Sequence, residues 1–214
     1  MSLGGGSSKT LDMAVNAAVD AGLHFAVAAG NDNQDACNYS PAASEKAITV
    51  GASSLADARA YFSNHGQCVD IFAPGLNILS TWIGSKYATN TISGTSMASP
   101  HICGLLSYFL SLAPSSDSDY GTIPMTPAKL KKRMISIGTK DMLTDIPSNT
   151  VNLLAWNGGV NKNGSSEFTF EEATPAKQTL KSILRDEVEM IEKEGLQWME
   201  KVKDFLEKEV EGAL

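Results

Sequence analysis

From Ser96 to Leu112 the chain writes a helix that is apolar on nearly every face, with Ile102, Cys103, Leu105, Leu106, Phe109 and Leu110 spread around its axis. Such a helix needs cover from several directions and is expected to run through the centre of its domain. Pro100 falls in its opening turn, where N–H groups lack intrahelical acceptors, and is tolerated there. The cover has to come from the short apolar runs elsewhere in the chain.

Those runs read as strands. Ser7-Ser8-Lys9 precedes a helix-period stripe of Leu11, Ala14, Val15, Ala18 and Val19 that ends at Gly22. Leu23–Ala29 is then a buried parallel strand that stops at the polar turn Gly30-Asn31-Asp32-Asn33. Helix, tight turn, strand and polar loop make half a βαβ unit, and in open α/β sheets sites form at the carboxyl ends of the strands. Further strands are expected at Ala47–Ala52, Val69–Ala73 and Ile78–Trp82. A helix follows Thr126-Pro127 through Leu130 and Met134 to Ile137, and Asn152–Trp156 is the last core segment.

Residues 1–159 thus form an α/β domain, 160–173 a glycine-, asparagine- and serine-rich linker, and 174–214 an amphipathic tail helix with Leu180, Leu184, Val188, Ile191, Trp198, Val202, Phe205 and Val210 on one stripe. The net charge of −7 is concentrated at the end: residues 167–214 hold 7 basic and 13 acidic side chains, residues 1–166 hold 10 and 11. That balance argues against nucleic acid as a partner, and the acidic polar face of the tail argues against anionic membranes. No apolar run reaches the roughly 20 residues of a membrane span. Met1–Gly6 has no basic region and no long apolar stretch, so no signal peptide is expected in it.

Ser96 follows Gly94-Thr95 at the point where a loop becomes the first turn of the apolar helix. The free N–H groups of that turn and the helix dipole both favour an anion there. Acyl transfer uses such a place, because the attacked carbonyl oxygen becomes an oxyanion beside the nucleophile. A capping serine fits the same position, and the stretch by itself leaves the two readings level. An α/β-hydrolase nucleophile elbow is excluded: Ala98 stands at its last glycine position, and no histidine follows His101.

Three stretches, Ser2-Leu3-Gly4-Gly5, Ala28-Ala29-Gly30-Asn31 and Gly94-Thr95-Ser96-Met97-Ala98-Ser99-Pro100-His101, together resemble the subtilisin-like serine proteases, or subtilases. The likeness is to the proteinase K and cerevisin branch, which includes fungal vacuolar proteases. It extends in order to about residue 159, through Asn38–Ala42, Thr49–Ser53, Phe62–Asn64, Asp70–Gly75, Ile78–Gly84 and Asn152–Ala155. The resemblance implies the carboxyl-terminal part of a subtilisin-like, parallel-sheet, three-layer fold and cleavage of polypeptides through an acyl-enzyme. Ser96 is then the nucleophile, and Asn31 donates to the oxyanion together with the Ser96 N–H. Ser2, Leu3 and Gly4 become the substrate-pairing strand and one wall of the pocket for the P1 side chain, with Ala28, Ala29 and Gly30 as another wall. A vacuolar or secreted location follows by the same likeness.

The resemblance also implies an Asp-Ser/Thr-Gly and a His-Gly-Thr-His motif ahead of the Ser2–Gly4 strand, and this chain starts at that strand. Three histidines are present. His24 opens a buried strand, His65 lies in a loop, and His101 is five residues beyond Ser96, roughly 140° round the helix. None is placed to act as base. The expectation is an endopeptidase segment that is nearly inert alone and depends on the amino-terminal part of the domain. The alternative is a non-catalytic, peptide-binding or antigenic remnant.

The likeness implies two further features. Some proteinase K relatives carry a disulfide with the spacing of Cys37 and Cys68, so a bridge is expected here, against the alternative of two free thiols. Cys103, in the apolar helix, reads as a core residue. No cofactor is needed for the chemistry. In the branch, the aspartate matching Asp70 holds a structural calcium with two backbone carbonyls, here those of Glu45 and Ala47. Glu45 stands where the pattern has proline, and an ordinary solvated Asp70 is the other reading. Asn38-Tyr39-Ser40 and Asn163-Gly164-Ser165 fit the glycosylation acceptor pattern. The tail reads as a carboxyl-terminal propeptide, a partner-binding helix, or an amphipathic helix docked on its own domain or loosely tethered.

Overall fold

The structure is a computed structural model and describes residues 1–112 and 125–159. The expected linker, the tail helix and Asn163 lie outside the described residues. In chain order the elements are β1 (Gly5–Gly6), α1 (Lys9–Asp20), β2 (Ala26–Ala28), a 3₁₀ turn (Ala36–Asn38), β3 (Tyr39–Ser40), β4 (Ile48–Ser53) and β5 (Ile71–Pro74). They continue with β6 (Ile78–Thr81), β7 (Thr89–Ile92), α2 (Thr95–Ser111), α3 (Pro127–Ile137), β8 (Thr139–Lys140) and β9 (Leu153–Leu154).

Local chemistry sets the helix starts. The Ser8 hydroxyl accepts from the Leu11 N–H and caps α1; the Thr126 hydroxyl accepts from the Lys129 N–H ahead of Pro127 in α3. β2, β4, β5 and β9 pair in parallel, with β8 antiparallel at the edge, in the order β2-β4-β5-β9-β8. Alternation along these strands sorts side chains to two faces. Ala26, Ile48, Val50, Ala52, Ile71 and Ala73 meet Ile102, Leu106 and Phe109 of α2 and Leu130 and Met134 of α3. On the other face Val27 packs with Val15 of α1, and Phe72 with Ala29, Ala36, Ala42 and Leu143. Helices on both faces of a mostly parallel sheet make the expected three-layer α/β arrangement.

Four expectations change. The strand read from Leu23 begins only at Ala26, because Leu23 is solvent-exposed in the turn after α1. The run at Ile78 joins no central sheet; β6 and β7 form a separate antiparallel hairpin carrying exposed Leu79, Trp82, Ile83 and Tyr87. α2 lies along one face of the sheet instead of through the middle, so Cys103 is exposed and not a core residue. Pro100 sits in the second turn of α2, where it has no N–H to offer the Ser96 carbonyl.

Cys37 and Cys68 form a disulfide across 31 positions. Closing a loop of that length stabilises the fold by about 3–4 kcal/mol in the chain-entropy model. Reduction is therefore expected to lower the melting temperature markedly, as read by circular dichroism with and without a phosphine reductant.

Candidate active site

The carboxyl end of β2 and the amino end of α2 meet at one point. Asn31 lies just beyond β2, and its Oδ1 accepts twice from Thr95: the backbone N–H at 2.8 Å and the hydroxyl at 2.9 Å. The Thr95 hydroxyl in turn accepts from the Gly30 N–H at 3.2 Å. With its oxygen committed to two donors, the amide must present Nδ2 elsewhere. A Cβ placed on Gly94 would lie 3.6 Å from both Asn31 Nδ2 and Ser96 N and 3.7 Å from Met97 Sδ, so the two donors lie close together beside Gly94. Ser96 is the second residue of α2, and its N–H belongs to the helix's first-turn donors, which have no intrahelical acceptor.

Ser96 itself is half-buried and its hydroxyl donates to the Ser2 carbonyl at 3.3 Å. Ser2, Leu3 and Gly4 run exposed past the site before β1 pairs with β3. A cleft of about 250 Å³ opens between them and the β2 loop, lined by Leu3, Gly4, Ala28, Ala29, Gly30 and Asn31 with Thr95 and Ser96 at one end. Leu3, Gly4, Ala28, Ala29, Gly30, Asn31 and Ser96 thus share one cleft, whereas Ser2 is outside the lining and meets the site through its carbonyl. Tyr39 and Asp32 also line it. Desolvation first, then the hydrogen bond to Asp32 and that carboxylate's charge, raise the Tyr39 phenol above its ordinary value.

Two residues that support this site carry no motif of their own. Thr95, fully buried, holds the Asn31 amide. Asn64, also fully buried, fixes the loop that delivers it: its Oδ1 accepts from the N–H groups of Asp32 and Gln34, and its Nδ2 donates to the Ala29 carbonyl. Gly30 passes over this amide at φ 105°, where a Cβ would both strain the backbone and collide with Asn64 Nδ2. Gly30→Ala is expected to destabilise by about 1–3 kcal/mol, checked by urea unfolding. The signal for Thr95 is inside the motif around Ser96; Asn64 ends a stretch, Phe62-Ser63-Asn64, that belongs to the family likeness but implies no role for it.

The histidines stand apart from this cleft's lining. His24 precedes β2, and burial lowers its pKa, opposed by a hydrogen bond to the Met125 backbone. His65 bridges Asp35 in a loop and keeps a shielded Nδ1 without a hydrogen-bond partner among the described residues. His101 is solvent-exposed on α2.

Asp70, Glu45 and Ala47 lie at the opposite, amino ends of β5 and β4. Asp70 Oδ2 accepts from the Thr49 N–H at 2.8 Å and from Lys131 Nζ at 2.9 Å. The same ammonium donates to the carbonyls of Glu45, at 2.9 Å, and Ala47, at 2.6 Å. Burial raises the Asp70 carboxyl, and the Lys131 charge and hydrogen bond and the Thr49 N–H oppose that rise. The three oxygens do come together, but around a lysine.

The sequence profile of the subtilase family matches residues 1–153. The chain is similar to the subtilisin-like serine protease Pen c 2 of Penicillium citrinum, with 75% identity over 79% of this chain and 36% of the relative. It is also similar to subtilisin-like protease 8 of Arthroderma otae, with 64% identity over 92% of this chain and 40% of the relative. Among solved structures, a cold-adapted subtilisin-like serine proteinase superposes with a TM-score of 0.64 at 43% identity, over 72% of this chain and 52% of that one. The chain spans between a third and two fifths of the length of these two fungal relatives.

Proposed function

The chain belongs to the subtilase family, and from that premise we propose that it is the segment of a serine endopeptidase that carries the nucleophile and the oxyanion hole. The observation that carries the proposal is the Thr95-locked Asn31 amide, whose Nδ2 lies beside Gly94 together with the Ser96 N–H, Asn31 and Ser96 both lining the cleft. A substrate strand laid beside Ser2–Gly4 brings its scissile carbonyl to Ser96 Oγ. As Oγ attacks, its proton passes to a general base, and the carbonyl oxygen takes up charge between Asn31 Nδ2 and the Ser96 N–H. The peptide C–N bond then breaks as the base returns that proton to the leaving amine, leaving an ester on Ser96 that water hydrolyses.

The base and its orienting carboxylate come from residues outside these 214, because none of the three histidines hydrogen-bonds the Ser96 hydroxyl. Polypeptides are the substrate class. The Cys37–Cys68 bridge supports a vacuolar or secreted location, since disulfides persist in oxidising compartments.

The test joins residues 1–214 to the part of the Penicillium citrinum relative that precedes its matched residues. The joined protein is expected to cleave a chromogenic peptide amide, and Ser96→Ala to abolish cleavage. Cleavage that survives Ser96→Ala would overturn the proposal.

A further inference from the structure

We propose that Lys131 is a tethered cation that takes the place of a bound metal ion in the cradle formed by Asp70 and the carbonyls of Glu45 and Ala47. An ammonium has three donors and no acceptor. Here all three are engaged, by one carboxylate and two carbonyl oxygens at 2.6–2.9 Å. These are hard oxygen ligands of the kind a calcium ion takes, and calcium would need them at roughly 2.3–2.6 Å around its own centre. The Nζ stands at that centre. A divalent ion could enter only by expelling a group that is already paired and hydrogen-bonded.

The placement is built into the fold. Leu130 and Met134 anchor α3 in the core, which fixes the flank from which Lys131 extends. Its side chain is 17% exposed and that of Asp70 22%, so the pair is shielded from water. Asp70 is further held by the Thr49 N–H, one residue ahead of the ladder that joins β4 to β5. The cradle therefore ties α3 to the starts of two central strands, which is work a metal ion would do at the same three oxygens. Glu45 contributes only its carbonyl here. A chain that carries the cation covalently has no need to draw it from solution, and its folding does not follow the calcium level.

Removing the ammonium while leaving the oxygens should convert the cradle into a metal site. The experiment compares melting of the full chain with that of Lys131→Ala and the double variant Lys131→Ala/Asp70→Asn, each in EDTA and in calcium chloride. The wild-type melt is expected to be the same in both. Lys131→Ala should melt lower in EDTA and recover in calcium, with a dissociation constant of about 10⁻⁴–10⁻³ M. At about 100 times that constant, calcium raises its folded-to-unfolded ratio about 100-fold. The double variant should not respond. A wild-type melt that rises with calcium overturns the proposal. So does a Lys131→Ala chain that calcium does not rescue, including one that stays unfolded throughout.

A second measurement needs no variant. Under limited acetylation, Lys131 of the wild-type chain should react much more slowly than exposed Lys129 and Lys132 on the same helix, with or without calcium. Deprotection of Lys131 on adding calcium would show that the metal displaces it, and the proposal would fail.

Discussion

Fluorophosphonate labelling of Ser96 in residues 1–214 is expected to be about 10⁶ times slower than in the joined protein that carries the acid and base. The figure follows from what the base supplies: in subtilisin, losing the histidine alone costs on the order of 10⁶ in turnover. Ser96 has the helix terminus, the Asn31 amide and the cleft, yet its hydroxyl donates only to the Ser2 carbonyl at 3.3 Å. That bond orients the hydroxyl without removing its proton. Ser96→Ala in the joined protein should fall to the same floor as the chain alone, because nucleophile and base act as one unit. Labelling of the 214 residues at the rate of an intact subtilase would mean that one of His24, His65 or His101 reaches the site after all.

The second large effect concerns the oxyanion. Asn31→Ala in the joined protein should lower kcat by about 10²–10³, the range known for loss of the matching donor in another subtilase, and leave KM within a few-fold. The split is diagnostic. An amide used only when the carbonyl oxygen becomes charged contributes to the transition state and little to substrate binding. Thr95→Val should reproduce part of the loss, because it removes one of the two donors that fix Asn31 Oδ1 and leaves the backbone donor in place. A rise in KM with kcat unchanged would make Asn31 a substrate-binding residue instead.

Much of the site was legible because its chemistry is written contiguously. Ser96 and Thr95 adjoin, and Asn31 ends an apolar run whose burial and length identify a strand. The caps Ser8 and Thr126 were readable for the same reason, since each acts within three residues of itself. The role of Asn64 was not readable: Phe62-Ser63-Asn64 belongs to the family likeness, but its hydrogen bonds reach 30 to 35 positions back to residues 29–34, and a short match does not announce them. Lys131 is the clearer case. On sequence it is one cation among several in α3, and its partners stand up to 86 positions away. Asp70 and the two carbonyls could be assigned a calcium from a family likeness, but which cation sits among them depends on a helix packed from the far end of the domain. Cys103 was misread because an apolar all-round helix looks the same whether covered on one face or on several.

Ser96 stands on the first turn of the helix that also fills the core, with Thr95, Ala98, Ser99 and Ile102 all essentially inaccessible to solvent. Among the described residues, the first turns of α2 are packed into the core through these side chains, so Ser96 keeps its place as long as the helix stays docked. Amide protons of α2 beyond its first turn then exchange with solvent through global opening, whereas the Ser96 N–H, which has no intrahelical acceptor, exchanges without it. Heat inactivation of any enzyme built on this segment should accordingly coincide with loss of the whole domain, in a single step.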